Sequence, residues 1–588
     1  MSHTFRVWAP RAAATVELLT GDDRHAMDAE AGGWWSVTLP RAGAGTRYSF
    51  SIDGGPPRPD PRSQHQPLGI DGPSEVVDHS SFAWTDAAWR GRPLARAVVY
   101  ELHVGTFTEA GTFDAAAEKL PHLVELGVDL VELLPVVEFS GDRGWGYDGV
   151  DLYAPHHAYG GPDGLKRFVD AAHAAGVGVI VDVVYNHLGP AGNHLAEFGP
   201  YFTDKYATPW GMAVNLDGPG CDEPRRFFLD NARMWLRDYH ADGLRIDAVH
   251  ALVDMSATHL LEQLAVEVEA LEAELGRDLV LIAETDLNDA RIVSRREVGG
   301  YGIDAQWNDD FHHCIHTLLT GERSGYYESF GSVAQLATAY RRGFVYAGEY
   351  DPHRGRRHGR APRDIPAWRF LGYAQNHDQV GNRAQGERTS HLLGVDQLRL
   401  VAALVLTAPF VPMLFQGEEW GATSPFLYFT DHHDPDLGRA VSEGRRGEFS
   451  YFGWSPDEVP DPQEEATFLR SKLRWDELGR EPHRSLLDWH RRLVSLRRAH
   501  PALGPGRFED VDVAWSEDGW IVVVRIGPGD GAVVAANLTG ATLEVTLPHG
   551  VLAPLACSGV ADLRPGRVTF DPWGVAVLRC SGRVPSAA

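Results

Sequence analysis

The chain has 588 residues, 43% of them hydrophobic, and 81 acidic against 54 basic side chains, a formal net charge of −27. That length calls for a large core with satellite domains. The charge repels polyphosphate and anionic lipid, so nucleic acid and membrane surfaces are excluded as partners.

The opening "MSHTFRVWAP" has no apolar signal region, and no apolar run reaches membrane-spanning length, which predicts a cytoplasmic protein. Cys221, Cys314, Cys557 and Cys580 lie far apart, with neither a CxxC pair nor the density of a disulfide scaffold. The sequon at Asn537 is then a chance match.

Residues 1–90 read as short strands ("FRVWAP", "ATVELL", "WWSVTL", "TRYSFSI") between Gly- and Pro-rich turns, predicting a small β-sandwich. From about residue 97 the pattern becomes strand, loop, helix, repeated. The strand candidates are "AVVYELHV", "DLVELLPV", "VGVIVDVVY", "GLRIDAV", "DLVLIAET", "GIDAQWND", "RFLGYAQNH" and "VPMLFQGEE". Eight apolar strands alternating with amphipathic helices predict a (β/α)8 TIM barrel over 91–500. An open doubly wound sheet is the alternative, but no GxGxxG follows the first strand. The stretch 441–483, rich in Glu, Arg and Pro, is expected to be a long loop. Strand patterns return over 501–588 and predict a C-terminal β-sandwich.

A TIM barrel puts its chemistry at the C-terminal ends of its strands. In "DGLRIDAVHAL" (242–252), Arg245 and Asp247 project from one side of an apolar strand, where isolated charges are costly. Other strands end in Asp182, Asn186 and His187, in Glu284, in Asn376, His377 and Asp378, and in Gln416, Glu418 and Glu419. Asp247, Glu284 and Asp378 thus gather on one barrel face beside an Arg and several His. Two such carboxylates suffice to hydrolyse a glycosidic bond with retention, one attacking and one donating a proton. The adjacent Arg245 keeps the attacking group ionised. Among the aromatics, Trp145, Tyr147 and Trp210 stand in loops beside strand ends, placed to stack on sugar rings. "DFHHCIH" and "TDHHD" suggest metal ligands, yet neither is HExxH and no partner spacing completes a site, so no metal and no cofactor is expected.

"DVVYNH", "GLRIDAVH", "IAETD" and "QNHDQVGNR" resemble, in order and spacing, the four motif regions of the α-amylase family of glycoside hydrolases. The likeness spans about 97–500, and "FRVWAPRAAATVELL" resembles the β-sandwich preceding the barrel in branching and debranching members. The resemblance implies Asp247 as nucleophile, Glu284 as general acid/base and Asp378 as the carboxylate gripping ring hydroxyls. It implies Arg245 orienting Asp247, His187 and His377 contacting the sugar before the scissile bond, Tyr147 stacking on that sugar, and Asp182 in a structural role.

Within the family, "PYFTDKYATPWG" and "RRGEFSYFGW" resemble the trehalose-releasing branch, whose substrate is a maltooligosyltrehalose cut at the α-1,4 bond beside its terminal trehalose. "HHAYGGPDGLKRFVD" alone would also suit a branching transferase acting on α-glucan, the nearest alternative; a non-catalytic glycan-binding barrel is a more distant one. Residues around Trp210, Gln375, Gln379, Glu418 and 426–432 are candidates for the trehalose side of the site. Monomer and homodimer remain equally open.

Overall fold

The computed structural model describes residues 2–451 and 459–581. The end of "RRGEFSYFGW", Phe452 to Trp454, lies outside the described residues.

The N-terminal strands form two antiparallel sheets. Ser2–Trp8 pairs with Trp34–Pro40, and Val16–Thr20 with Arg47–Ile52. Their alternate apolar residues, among them Phe5, Val7, Val16, Leu18 and Phe50, are buried between them. This part is tied to the barrel's outer wall by Trp34 Nε1, which donates to Glu223 at 3.1 Å, and by the Arg62–Asp230 ion pair at 2.9 Å.

The eight predicted strands all form and close into one parallel barrel: Val99–Leu102, Leu130–Leu133, Gly178–Val183, Gly243–Ile246, Val280–Ala283, Ala305–Trp307, Phe370–Gly372 and Val411–Phe415. Each pairs with the next in the sequence, and the eighth pairs with the first. Amphipathic helices such as Gly161–Ala174, Asp222–Arg237 and Leu260–Leu275 cover the wall, their apolar stripes sealed against it. No helix among the described residues is long and apolar enough to cross a membrane, and the four cysteines carry free thiols.

The expected long loop over 441–483 is instead partly helical. Helix Pro435–Tyr451 runs into it, Glu465–Arg470 forms a second helix, and His483 starts a third that ends at Ala499. Glu, Arg, Ala and Leu favour helix, and Pro435 sits at the one helical position that tolerates proline. Composition alone had masked these features.

The C-terminal sandwich is built from one continuous antiparallel sheet rather than two. Its long strand Arg567–Ser581 pairs with Leu543–Thr546 through its first half and with Asp530–Asn537 through its second. One face, with Val522, Val533, Val545 and Phe570, forms the sandwich's own core; the other, with Val523, Val534 and Val577, joins the main core with the barrel helices. The strand Val551–Arg564 escapes sequence analysis because its apolar residues are interrupted by Pro554, Ser558 and Gly559.

Two buried arginines grip the chain after the helix Val395–Leu406: Arg497, from the helix His483–Ala499, and Arg525, from the sheet strand Trp520–Arg525, which thereby fastens the sheet to the barrel. Helix Val395–Leu406 ends without enough partners for its last carbonyls. Arg497 donates to Leu406 O, Ala408 O and Phe410 O, and Arg525 donates to Thr407 O at 2.6 Å and to Gly504 O at 2.7 Å. Burial lowers the pKa of Arg525 to about 10, and the carbonyl dipoles carry the retained charge. Arg525→Ala leaves two buried carbonyls unpaired, and it should reduce unfolding free energy by about 3 kcal/mol in denaturant titration. A change within error would show that the clamp contributes nothing.

Candidate active site

A cavity of about 750 Å³ opens at the C-terminal ends of the barrel strands. Its wall holds Tyr147, His187, Trp210, Asp247, Glu284, His377 and Asp378 together. Seven predicted site residues scattered over more than 200 positions therefore meet in one place. Tyr428 and Thr430, from the 426–432 stretch, also line it, as do Phe202 and Met212, which the sequence did not single out.

Beneath the cavity floor lies Arg245, fully buried on the fourth strand. Its Nη1 donates to Asp182 Oδ2 and to Asp247 Oδ1, both at 2.8 Å, and its Nη2 lies 3.8 Å from Glu284 Oε2. One guanidinium thus faces three carboxyl groups. Parallel pairing sets Asp182 beside Arg245 in register, so the first contact follows from the barrel itself. Trp307, on the sixth strand, packs under the guanidinium at 4.2 Å.

Asp247 begins the loop after its strand. Asn186 Nδ2 donates to its Oδ2 at 2.7 Å and to its carbonyl at 3.0 Å. The carboxylate is therefore held on both oxygens while its residue remains 8% exposed to the cavity. Ala248 follows in the left-handed region (φ 38°, ψ 53°), a conformation that costs a non-glycine residue roughly 1–2 kcal/mol. That turn aims the Ala248 N–H at Glu284 Oε2, 2.6 Å away. Glu284 is nonetheless pushed up to a pKa of about 8, by burial first, then by the negative charges of Asp247, Asp378 and Asp309, against the opposing pull of Arg245. Two carboxyl groups under one Arg are thereby made unequal: Asp247 is the one in direct contact with the guanidinium.

The aromatic wall is equally specified. Tyr147 donates its hydroxyl to Asp182 Oδ2 at 2.7 Å, and its ring stacks on His377 at 5.1 Å. Gly146 precedes it at φ 97°, and a Cβ there would fall 2.4 Å from the Pro135 carbonyl oxygen. His187 donates its Nε2–H to Tyr147 O (2.8 Å), and burial depresses its pKa. Trp210 sits at the tip of the hairpin formed by Phe202–Thr208 and Gly211–Val214 and stacks flat on His187, 4.6 Å between centroids and 6° between planes. Half of Trp210 is exposed, so its outer face is open.

His377 rests on residues that sequence reasoning missed. Glu101, from the first strand, accepts the His377 backbone N–H at 3.0 Å and its Nδ1–H at 2.5 Å. Burial opposes charge on this imidazole, but Asp378 and Glu101 outweigh it and raise its pKa to about 9. Glu132 lies beside Glu101 in register on the second strand, buried, with neither carboxyl oxygen hydrogen-bonded to protein. Burial, then the charge of Glu101, drives its pKa well up. The available signal was a lone acid in each of "VYELHV" and "LVELLPV", both otherwise apolar.

Three expected substrate contacts are not at the cavity wall. Gln375 accepts from the Thr389 N–H at 2.9 Å and borders a separate small void together with Glu418. Glu418 itself accepts from the Phe415 N–H, and burial lifts its pKa to about 8. Gln379 caps the short helix His377–Gly381 by accepting from Asn376 N, and its Nε2 donates to Asp309. Each lies near a strand end, but each is consumed by orphan backbone groups at a helix or loop start.

The alpha amylase catalytic-domain family matches residues 80–205. A malto-oligosyltrehalose trehalohydrolase of Arthrobacter ramosus is 52% identical, with 90% of this chain and 94% of the relative covered. A Salmonella typhimurium protein of known structure, provisionally named an alpha amylase, superposes with a TM-score of 0.92 at 39% identity, over 99% of this chain and 98% of the other. A 1,4-alpha-glucan branching enzyme of Xanthomonas campestris is more distant, 28% identical over 91% of this chain and 71% of its own length. On these grounds the chain belongs to the malto-oligosyltrehalose trehalohydrolases, a branch of the α-amylase family of glycoside hydrolases.

Proposed function

We propose that the protein is a retaining glycosidase that cuts the α-1,4-glucosidic bond next to the terminal trehalose of a maltooligosyltrehalose, releasing trehalose and a maltooligosaccharide. The observation that carries this is the unequal pair Asp247 and Glu284 around Arg245.

Asp247, ion-paired to Arg245 and held by Asn186, is the nucleophile. Its free electron pair forms a bond to the anomeric carbon while the bond from that carbon to the glycosidic oxygen breaks. Glu284, protonated at neutral pH, gives its proton to that oxygen, so the trehalose side leaves as an alcohol. The Ala248 N–H occupies Oε2, which leaves the acid proton to Oε1. Water then attacks the same carbon, Glu284 takes the water's proton, and the bond to Asp247 breaks. Asp378, on the cavity wall, and the His377 imidazolium hold ring hydroxyls as positive charge develops on the sugar. Tyr147 supplies the apolar face beneath that ring.

The open face of Trp210, with Phe202 and Met212 beside it, suits a sugar ring on the trehalose side. A branching transferase would run the same first step, and the greater distance of the branching relative favours hydrolysis. Residues 1–90 and 501–588 are assigned as separate flanking domains, and 91–500 as the catalytic barrel.

With maltotriosyltrehalose, chromatography should show trehalose and maltotriose as products, and Asp247→Ala should lower kcat about 10,000-fold or more. Trehalose release from that variant at the normal rate would remove Asp247 from the mechanism. The rate depends on a protonated Glu284, so kcat should fall above pH 8, about tenfold per pH unit; a flat profile to pH 10 would contradict that role. Glu101→Gln keeps the side chain's shape but removes one of the two charges that hold His377 protonated. It should lower kcat about tenfold with little change in KM, and bring the alkaline loss of activity to lower pH.

A further inference from the structure

The loop 139–150, which carries Trp145 and Tyr147, leaves the barrel through Val137–Glu138 and returns through Asp151–Pro155, two short strands paired antiparallel. Glu138 lies at the exit, and His156 and His157 stand just past the return. One donor atom from each of these three residues falls within 4.8 Å of the others.

The chemistry of the three is unusual for a structural cluster. Glu138 and His156 are completely buried. His156 Nδ1 lies 3.2 Å from Glu138 Oε2, yet neither ring nitrogen of His156 has a hydrogen-bond partner. Its ring is locked by stacking on Phe139, 3.9 Å between centroids. A buried imidazole that faces a carboxylate without hydrogen-bonding to it leaves a lone pair unused. His157 Nδ1 reaches Glu138 Oε1 at 2.6 Å, and its Nε2 reaches Asp142 Oδ1 at 3.1 Å. A carboxylate on the far nitrogen of a histidine is the usual means of orienting a metal-binding imidazole. Asp151, paired with Glu138 across the strands, is a second buried carboxyl whose Oδ2 has no partner. His157 is partly exposed, so an ion could enter from that side and keep a water.

We propose that Glu138, His156 and His157 form a binding site for a divalent transition metal of the zinc class. Two imidazoles and one carboxylate match that class, and donors around a tetrahedral ion with bonds of about 2.1 Å stand roughly 3.4 Å apart. The present 2.6 and 3.2 Å contacts need only a small opening to reach this spacing. None of the three lines the catalytic cavity, so the ion is structural. It ties the two ends of the loop that holds Tyr147 over His377.

The test uses full-length protein freed of metal with a chelator and titrated with Zn²⁺ by calorimetry and by elemental analysis after gel filtration. One ion per chain should bind, raise the melting temperature, and bind about 10- to 100-fold more weakly in the partly exposed variant His157→Ala. Substituting Co²⁺ provides a readout independent of folding in the variants. Wild-type protein should show the visible absorption of a four-coordinate nitrogen–oxygen site, and His156→Gln should lose it with its circular dichroism unchanged. No stoichiometric ion in the wild type, or equal affinity in His157→Ala, would overturn the proposal.

Discussion

Arg245 is a charge with no access to water, and much of the site depends on how that charge is met. A guanidinium inside a barrel is tolerable only if it is paired. The barrel register supplies Asp182 beside it, the end of its own strand supplies Asp247, and Glu284 stands at the next strand's end. Three acids around one cation cannot all be equivalent. The two in direct contact share its field, and Glu284, farther away and buried, holds its proton. The difference between Asp247 and Glu284 is therefore one of burial and neighbouring negative charge as well as of distance from Arg245.

The same logic extends across the barrel interior. His377 is cationic because Asp378 and Glu101 flank it, and Glu132 is driven towards its neutral form by burial and by the charge of Glu101 next to it. The aromatic residues then fix these groups in space: Trp307 under Arg245, Tyr147 over His377, Trp210 over His187. Strands and their ends hold the charged groups, and loops hold Tyr147 and Trp210 at the cavity. The loop carrying Tyr147 is anchored at its base by Glu138 and the two histidines beyond it, so its geometry is set at a point remote from the chemistry.

Period-two alternation and strand-end polar residues made the barrel, the three carboxylates of the cavity wall and Arg245 legible in the sequence, because barrel geometry converts strand ends into neighbours. Trp210 was legible as an aromatic in a loop, but the flat stack on His187 required the hairpin that carries it. Glu101 and Glu132 were not found, since an acid inside an apolar strand looks like an outward-facing residue until the barrel closes around it. Gln375, Gln379 and Glu418 are the reverse case: polar residues near the right strand ends that lie off the cavity wall, each accepting from a backbone N–H. The helix through 435–451 was obscured because charged residues favour helices and loops alike.

The central claim is that Asp247 attacks carbon while Glu284 manages the proton. The stereochemistry of the newly formed reducing end tests this most directly, followed by proton NMR from the first moments of maltotriosyltrehalose cleavage, before mutarotation. Two displacements at one carbon return the starting configuration, so the account predicts that the α-anomer of maltotriose appears first. Initial release of the β-anomer would mean a single displacement by water, and would contradict the assignment of Asp247 as nucleophile.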